Sequence, residues 1–82
     1  MIKGVHDQRY KDAVEQLRLA RIKLGWSQTE LASRLQTRQQ FVSKFETGER
    51  RLDVIEFADI ARCLGLQEAD VLKLIFGVGY SE

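Results

Sequence analysis

The chain has 82 residues, 44% of them hydrophobic and 30% charged, with no proline, one cysteine and one histidine. That composition fits one small globular domain and argues against a disordered tract, a disulfide scaffold or a membrane protein. Net charge is only +1, but residues 1–50 hold ten Lys/Arg against six Asp/Glu and residues 51–82 three against six, so a half of +4 precedes a half of −3. The basic half is the one suited to face a polyanion. Cys63 has no partner for an intrachain disulfide, which fits a reducing compartment, and a small buried filler is its expected role. The opening Met-Ile-Lys-Gly-Val-His-Asp lacks the apolar run of a signal peptide, and no segment approaches membrane-spanning length, so a cytoplasmic location without membrane partners is expected.

Residues 1–6 read as a flexible lead-in, with His6 a solvated terminal residue. Asp7 is placed to cap a first helix running to Leu24, and Gly25 stands where a left-handed residue stops it. The expected buried stripe is Tyr10, Val14, Leu17, Arg21 and Leu24, at spacings of 4, 3, 4 and 3. An arginine in such a stripe either reaches out to solvent or meets a carboxylate inside. Trp26 follows the stop, just before a cap, where an apolar residue can staple the next helix.

Ser27 and Glu30 form a capping-box pattern opening a short helix to Leu35 that buries Leu31, Ala32 and Leu35. After a turn at Gln36, where glycine would relieve backbone strain, Thr37 can cap a second short helix, about 37–46. Two short helices this close should cross steeply, as a helix-turn-helix. At 100° per residue, Phe41, Val42 and Phe45 share one side of the second helix, and Gln39, Gln40, Ser43 and Lys44 the other. Glutamine amides suit the adenine edge and lysine suits guanine or phosphate, although an ordinary solvated face has the same composition.

Beyond Gly48, Glu49-Arg50-Arg51-Leu52 is a short loop with two adjacent cations. Asp53 and Glu56 repeat the capping-box pattern and open a helix to Leu64, stopped by Gly65, with Val54, Phe57, Ala61 and Leu64 inward and Ile60 beside them. A fifth helix, about 67–76, offers Val71, Leu74 and Ile75 to the core, and residues 77–82 read as a flexible tail. The chain is therefore expected to be all-α, one five-helix domain over 7–76. Ile55, Leu66, Leu72 and Phe76 are apolar residues that one small core need not consume, which makes them candidates for a homodimer interface. One His, one Cys and no clustered carboxylates leave no nucleophile–base pair, metal-ligand spacing or Gly-rich phosphate loop. No enzyme, metal, cofactor or small-molecule ligand is expected.

Three stretches, Leu17–Ala32, Phe41–Gly48 and Ile60–Leu66, carry a Ser-Gln-x-Glu-Leu-Ala start, a Val-Ser-x-x-Glu-x-Gly end and the spacing between them. Over residues 14–75 the chain resembles the lambda-repressor and Cro type of helix-turn-helix, the Xre family. That resemblance implies a DNA-binding regulator whose second helix of the pair enters the major groove. It implies that Arg38, Gln39, Gln40 and Lys44 face bases, and that Gln28 holds a phosphate and braces the reading helix. Ser43, Arg50 and Arg51 would touch the sugar-phosphate backbone. Arg21 and Glu46 match a family salt bridge between the first and third helices. Three residues depart from the family pattern: Gln36 for the turn glycine, Leu52 for a frequent proline, and a bulky Phe41 expected in the core. The expected function is a homodimeric regulator on a palindromic operator in double-stranded DNA. The alternative is an antitoxin or adaptor that engages a protein partner such as a toxin and binds DNA secondarily.

Overall fold

Four of the five helices among the described residues begin or end on a local device written into the sequence, and those devices set the angles at which the chain turns. The computed structural model describes residues 7–76, with side chains described to residue 73. The stretches 1–6 and 77–82, and the side chains of Leu74, Ile75 and Phe76, lie outside the described residues. The order is α1 (Gln8–Lys23), α2 (Gln28–Leu35), α3 (Gln39–Thr47), α4 (Val54–Cys63) and α5 (Glu68–Phe76). No strand occurs among the described residues. None of these helices is long and apolar enough to cross a membrane.

Asp7 caps α1 by accepting the Arg9 N–H at 2.8 Å, and the Arg9 guanidinium folds back onto the same carboxylate. Ser27 caps α2 by accepting the Glu30 N–H at 3.0 Å. The return half of the expected capping box is not made, because the Glu30 carboxylate instead takes Arg34, one turn on, at 2.7 Å. At α4 both halves are present: Glu56 N–H donates to Asp53 at 2.7 Å, and Asp53 N–H donates to the Glu56 carboxylate at 3.0 Å.

The expected cap at Thr37 is corrected by the structure. The Thr37 N–H donates to the Ala32 carbonyl at 2.9 Å and so closes the end of α2. The chain then runs extended through Arg38, which occupies the cap position of α3 with no side-chain hydrogen bond, and the helix starts at Gln39. The turn between α2 and α3 places Gln36 in the left-handed region, φ 59° and ψ 44°, where a side chain is crowded by its own carbonyl.

The most deeply buried side chains are Leu17 of α1, Leu31 of α2, Val42 and Phe45 of α3 and Ile60 of α4, so four helices meet at one centre. Ala13, Val14, Ala32, Phe57, Ala61 and Leu64 complete it, with Val71 of α5 partly buried against it. Cys63 is half-buried at its margin. Two expected core residues lie outside. Leu24 is 46% exposed because α1 ends at Lys23 and the chain reverses through Gly25, bringing Trp26 against the core instead. Val54 is 74% exposed because it opens the first turn of α4, beyond the core's edge, and the buried place there goes to Leu52. Leu52 also donates its N–H to the Tyr10 hydroxyl at 3.0 Å, tying the loop to the first turn of α1. A proline at this position would have no N–H to give.

Gln36 supplies the test of this geometry. Gln36→Gly removes the left-handed strain, and the side chain lost is exposed. Stability should rise by about 0.5–1 kcal/mol in urea unfolding, with an unchanged m-value.

Candidate nucleic-acid interface

The exposed side of α3 is built from behind. Val42 and Phe45 are fully buried, which fixes the helix about its own axis and turns Gln39, Gln40 and Lys44 outward. Ser43 is half-buried beside them, and Arg38 is exposed at the cap. Among the described residues the side chains of Arg38, Gln40 and Lys44 have no hydrogen-bond or ion-pair partner, so two cations and an amide stand free between the cap of α3 and its last turn.

Beneath this face runs a connected polar chain. The Arg21 guanidinium grips Glu46 through Nε at 2.8 Å and Nη2 at 3.0 Å, and its Nη1 donates to the Trp26 carbonyl at 2.7 Å. Both side chains are nearly sealed, at 11% and 4% exposure, so the arginine in the apolar stripe meets a carboxylate inside. Glu46 also accepts from Gln28 Nε2 at 3.0 Å, and Gln28 Oε1 accepts from Gln39 Nε2 at 2.6 Å. The direction of this chain is dictated by chemistry. An ionised carboxylate only accepts, so the Gln28 amide must turn its nitrogen to Glu46 and its oxygen to Gln39. Gln39 is thereby left with its own oxygen and one N–H to offer outward.

The two cations of the loop part company. Arg51 is exposed, with its guanidinium 5.7 Å from the centre of the Tyr10 ring on α1. Arg50 instead lies over the Phe41 ring of α3 at 4.9 Å and grips Glu56 of α4 with two bonds of 2.9 and 2.8 Å. Phe41 is half-buried with its ring 5.5 Å from that of Phe45, so the residue expected in the core is also the shelf on which Arg50 rests. The Glu56 carboxyl is held below the usual carboxylate range, first by Arg50 and then by the Asp53 N–H. The cap at Glu56 was readable from Asp-x-x-Glu, whereas its second partner, six residues back across a loop, leaves no periodic signal.

Of the candidate interface residues, Ile55 is 66% and Leu72 44% exposed, while Leu66 is half-buried against the domain's own core and so less available than expected. Phe76 is a candidate whose side chain lies outside the described residues. Leu19 and Ile22 on α1 are exposed apolar residues that no sequence signal marked, and Leu24, expected in the buried stripe, is exposed beside them in sequence.

A family model described as helix-turn-helix matches residues 17–71, two thirds of the chain and all of the helix pair. No curated protein matches the chain.

The buried pair yields a stability test. Arg21→Met or Glu46→Leu alone strands one charge and should cost about 3–5 kcal/mol in chemical denaturation. The double variant should lose clearly less than the sum of the two, since neither charge is then left buried without its partner.

Proposed function

The chain belongs to the lambda-repressor-like, or Xre, helix-turn-helix family of DNA-binding regulators; from that premise we propose that it acts as a homodimer on a palindromic operator in double-stranded DNA. In this reading α3 enters the major groove, and Arg38, Gln39, Gln40 and Lys44 contact base edges. Gln28, Ser43, Arg50 and Arg51 hold the sugar-phosphate backbone and fix the register. Two reading helices about 34 Å apart then address half-sites one helical turn apart. Ile55 and Leu72, with Leu66 and Phe76, are the residues proposed for the dimer contact. The domain runs over 7–76, has no catalytic role, and works in the cytoplasm.

The observation that carries this reading is the polar chain from Arg21 and Glu46 through Gln28 to Gln39. It leaves Gln39 with one acceptor and one donor pointing outward, the complement of the N6 amino group and N7 of adenine. The second reading, a protein-interaction module of the antitoxin type, draws its support from the exposed apolar side chains Leu19, Ile22 and Leu24. The two readings separate in a gel shift at low salt, where tight capture of a protein partner without DNA affinity favours the second.

Selection of bound duplexes from a random pool should return a two-fold symmetric sequence. Gln39→Ala should then lose about 1–3 kcal/mol on that sequence by relaxing one base position in each half-site. Its affinity for random DNA should not change. Arg51→Ala should weaken binding to both alike and lower the slope of log affinity against log salt by about 0.9. Equal losses on both DNAs for Gln39→Ala would count against direct readout.

A further inference from the structure

Arg50 is the cation whose surroundings exceed what a surface arginine needs. Its Nη1 donates to Glu56 Oε1 at 2.9 Å and to the Arg51 carbonyl at 3.0 Å, which uses both Nη1 hydrogens. Its Nη2 donates to Glu56 Oε2 at 2.8 Å with one hydrogen. The guanidinium carbon lies over the Phe41 ring, 4.9 Å from its centre. Three of its five N–H bonds are thus engaged, and the group is backed by an aromatic ring in the first turn of α3. The two left over, Nε–H and the second Nη2–H, lie side by side on the remaining edge. Such an edge is the fork that matches two oxygens of one phosphate.

We propose that Glu56 is a positioning residue for DNA binding: it clamps the Nη1/Nη2 edge of Arg50 beside Phe41 so that the adjacent Nε/Nη2 edge is presented, already oriented, to a single backbone phosphate. The inference rests on the reading of Arg50 as a backbone contact and assigns the carboxylate that makes this contact effective. A free arginine must order several rotatable bonds before it can offer a bidentate fork; here the ordering is done in the fold. Glu56 is fitted to hold that position. Its Oε1 also accepts the Asp53 N–H at 3.0 Å, so the carboxylate is fastened to the start of α4 before it touches Arg50. Arg50 holds the Glu56 carboxyl ionised below the usual carboxylate range, so the clamp stays charged at any pH at which the domain would meet DNA. The same carboxylate could instead act as a rival, occupying a cation that phosphate needs, and the two roles have opposite signs in one experiment.

The experiment is a double-mutant cycle in duplex binding, read as Kd on the selected operator and on random DNA across a salt series. In the wild-type background Arg50→Met should weaken binding about tenfold on both DNAs. In a Glu56→Gln background the same Arg50→Met change should cost less than about twofold, because the unclamped arginine no longer contributes. The salt slope should fall by about 0.9 with either substitution and no further with both. Asp53→Ala, which weakens the start of α4 from the other half of the cap, should leave the tenfold cost of Arg50→Met in place, separating the clamp from helix stability. An Arg50→Met cost that is equal or larger in the Glu56→Gln background overturns the proposal and makes Glu56 a bystander or a rival. No effect of Arg50→Met in the wild type overturns it at Arg50 alone. Absence of all DNA binding by the wild type at low salt overturns the functional reading beneath it.

Discussion

The pair of Arg21 and Glu46 is the contact on which the arrangement of the helices depends. It joins the end of α1 to the end of α3, holds the carbonyl of Trp26 in the turn before α2, and gives Gln28 at the start of α2 its orientation. Desolvating two charges costs several kcal/mol, and their attraction largely cancels that cost, so such a pair adds little net stability over well-packed apolar residues. Its importance lies in direction. Apolar burial around Leu17, Leu31 and Phe45 brings the helices together and decides which side of each turns inward, whereas a two-pronged ion pair fixes where one helix end stands against another. The small core supplies cohesion and the charges supply registration.

The same logic explains why a net charge of +1 is a poor guide to the surface. Several cations of the basic half are committed to nearby carboxylates: Arg9 to Asp7, Arg18 to Glu15, Arg34 to Glu30 and Arg50 to Glu56. These exposed pairs contribute little to stability, but they remove charge from large parts of the surface. Arg38, at the cap of α3, and Lys44, on its outward side, stand outside such pairs. What matters to a polyanion is the charge left after local pairing, and on the helix pair that remainder is concentrated where the amides are.

Much of the fold was legible because helix ends are local. Asp7, Ser27 and Asp53 cap where their spacing placed them, and Gly25, Gly48 and Gly65 carry the positive φ angles that stop helices. The outward side of α3 and the buried Arg21 followed from periodicity and from the resemblance. The misses share one cause. Periodicity assigns a face to a helix but does not say where the neighbouring elements stop, so Leu24 and Val54, in phase but at helix ends, were placed inside. Thr37 looked like a cap until its N–H was needed to finish α2. The contacts of Arg50 with Glu56 and Phe41, and the orientation of Gln28, arise between elements and leave no trace in spacing.

The hydrogen bond from Leu52 to Tyr10 has a consequence for how this sequence can change over time. The hydroxyl of Tyr10 has a purpose only while residue 52 carries an N–H, and that N–H, on a buried residue, has an acceptor only while residue 10 carries a hydroxyl. The two positions, 42 residues apart, therefore form one heritable unit. A lineage that acquires proline at 52 is free to drift from tyrosine to phenylalanine at 10, while one that loses the hydroxyl first passes through a less stable intermediate. Among relatives, tyrosine at the first position should travel with a residue other than proline at the second.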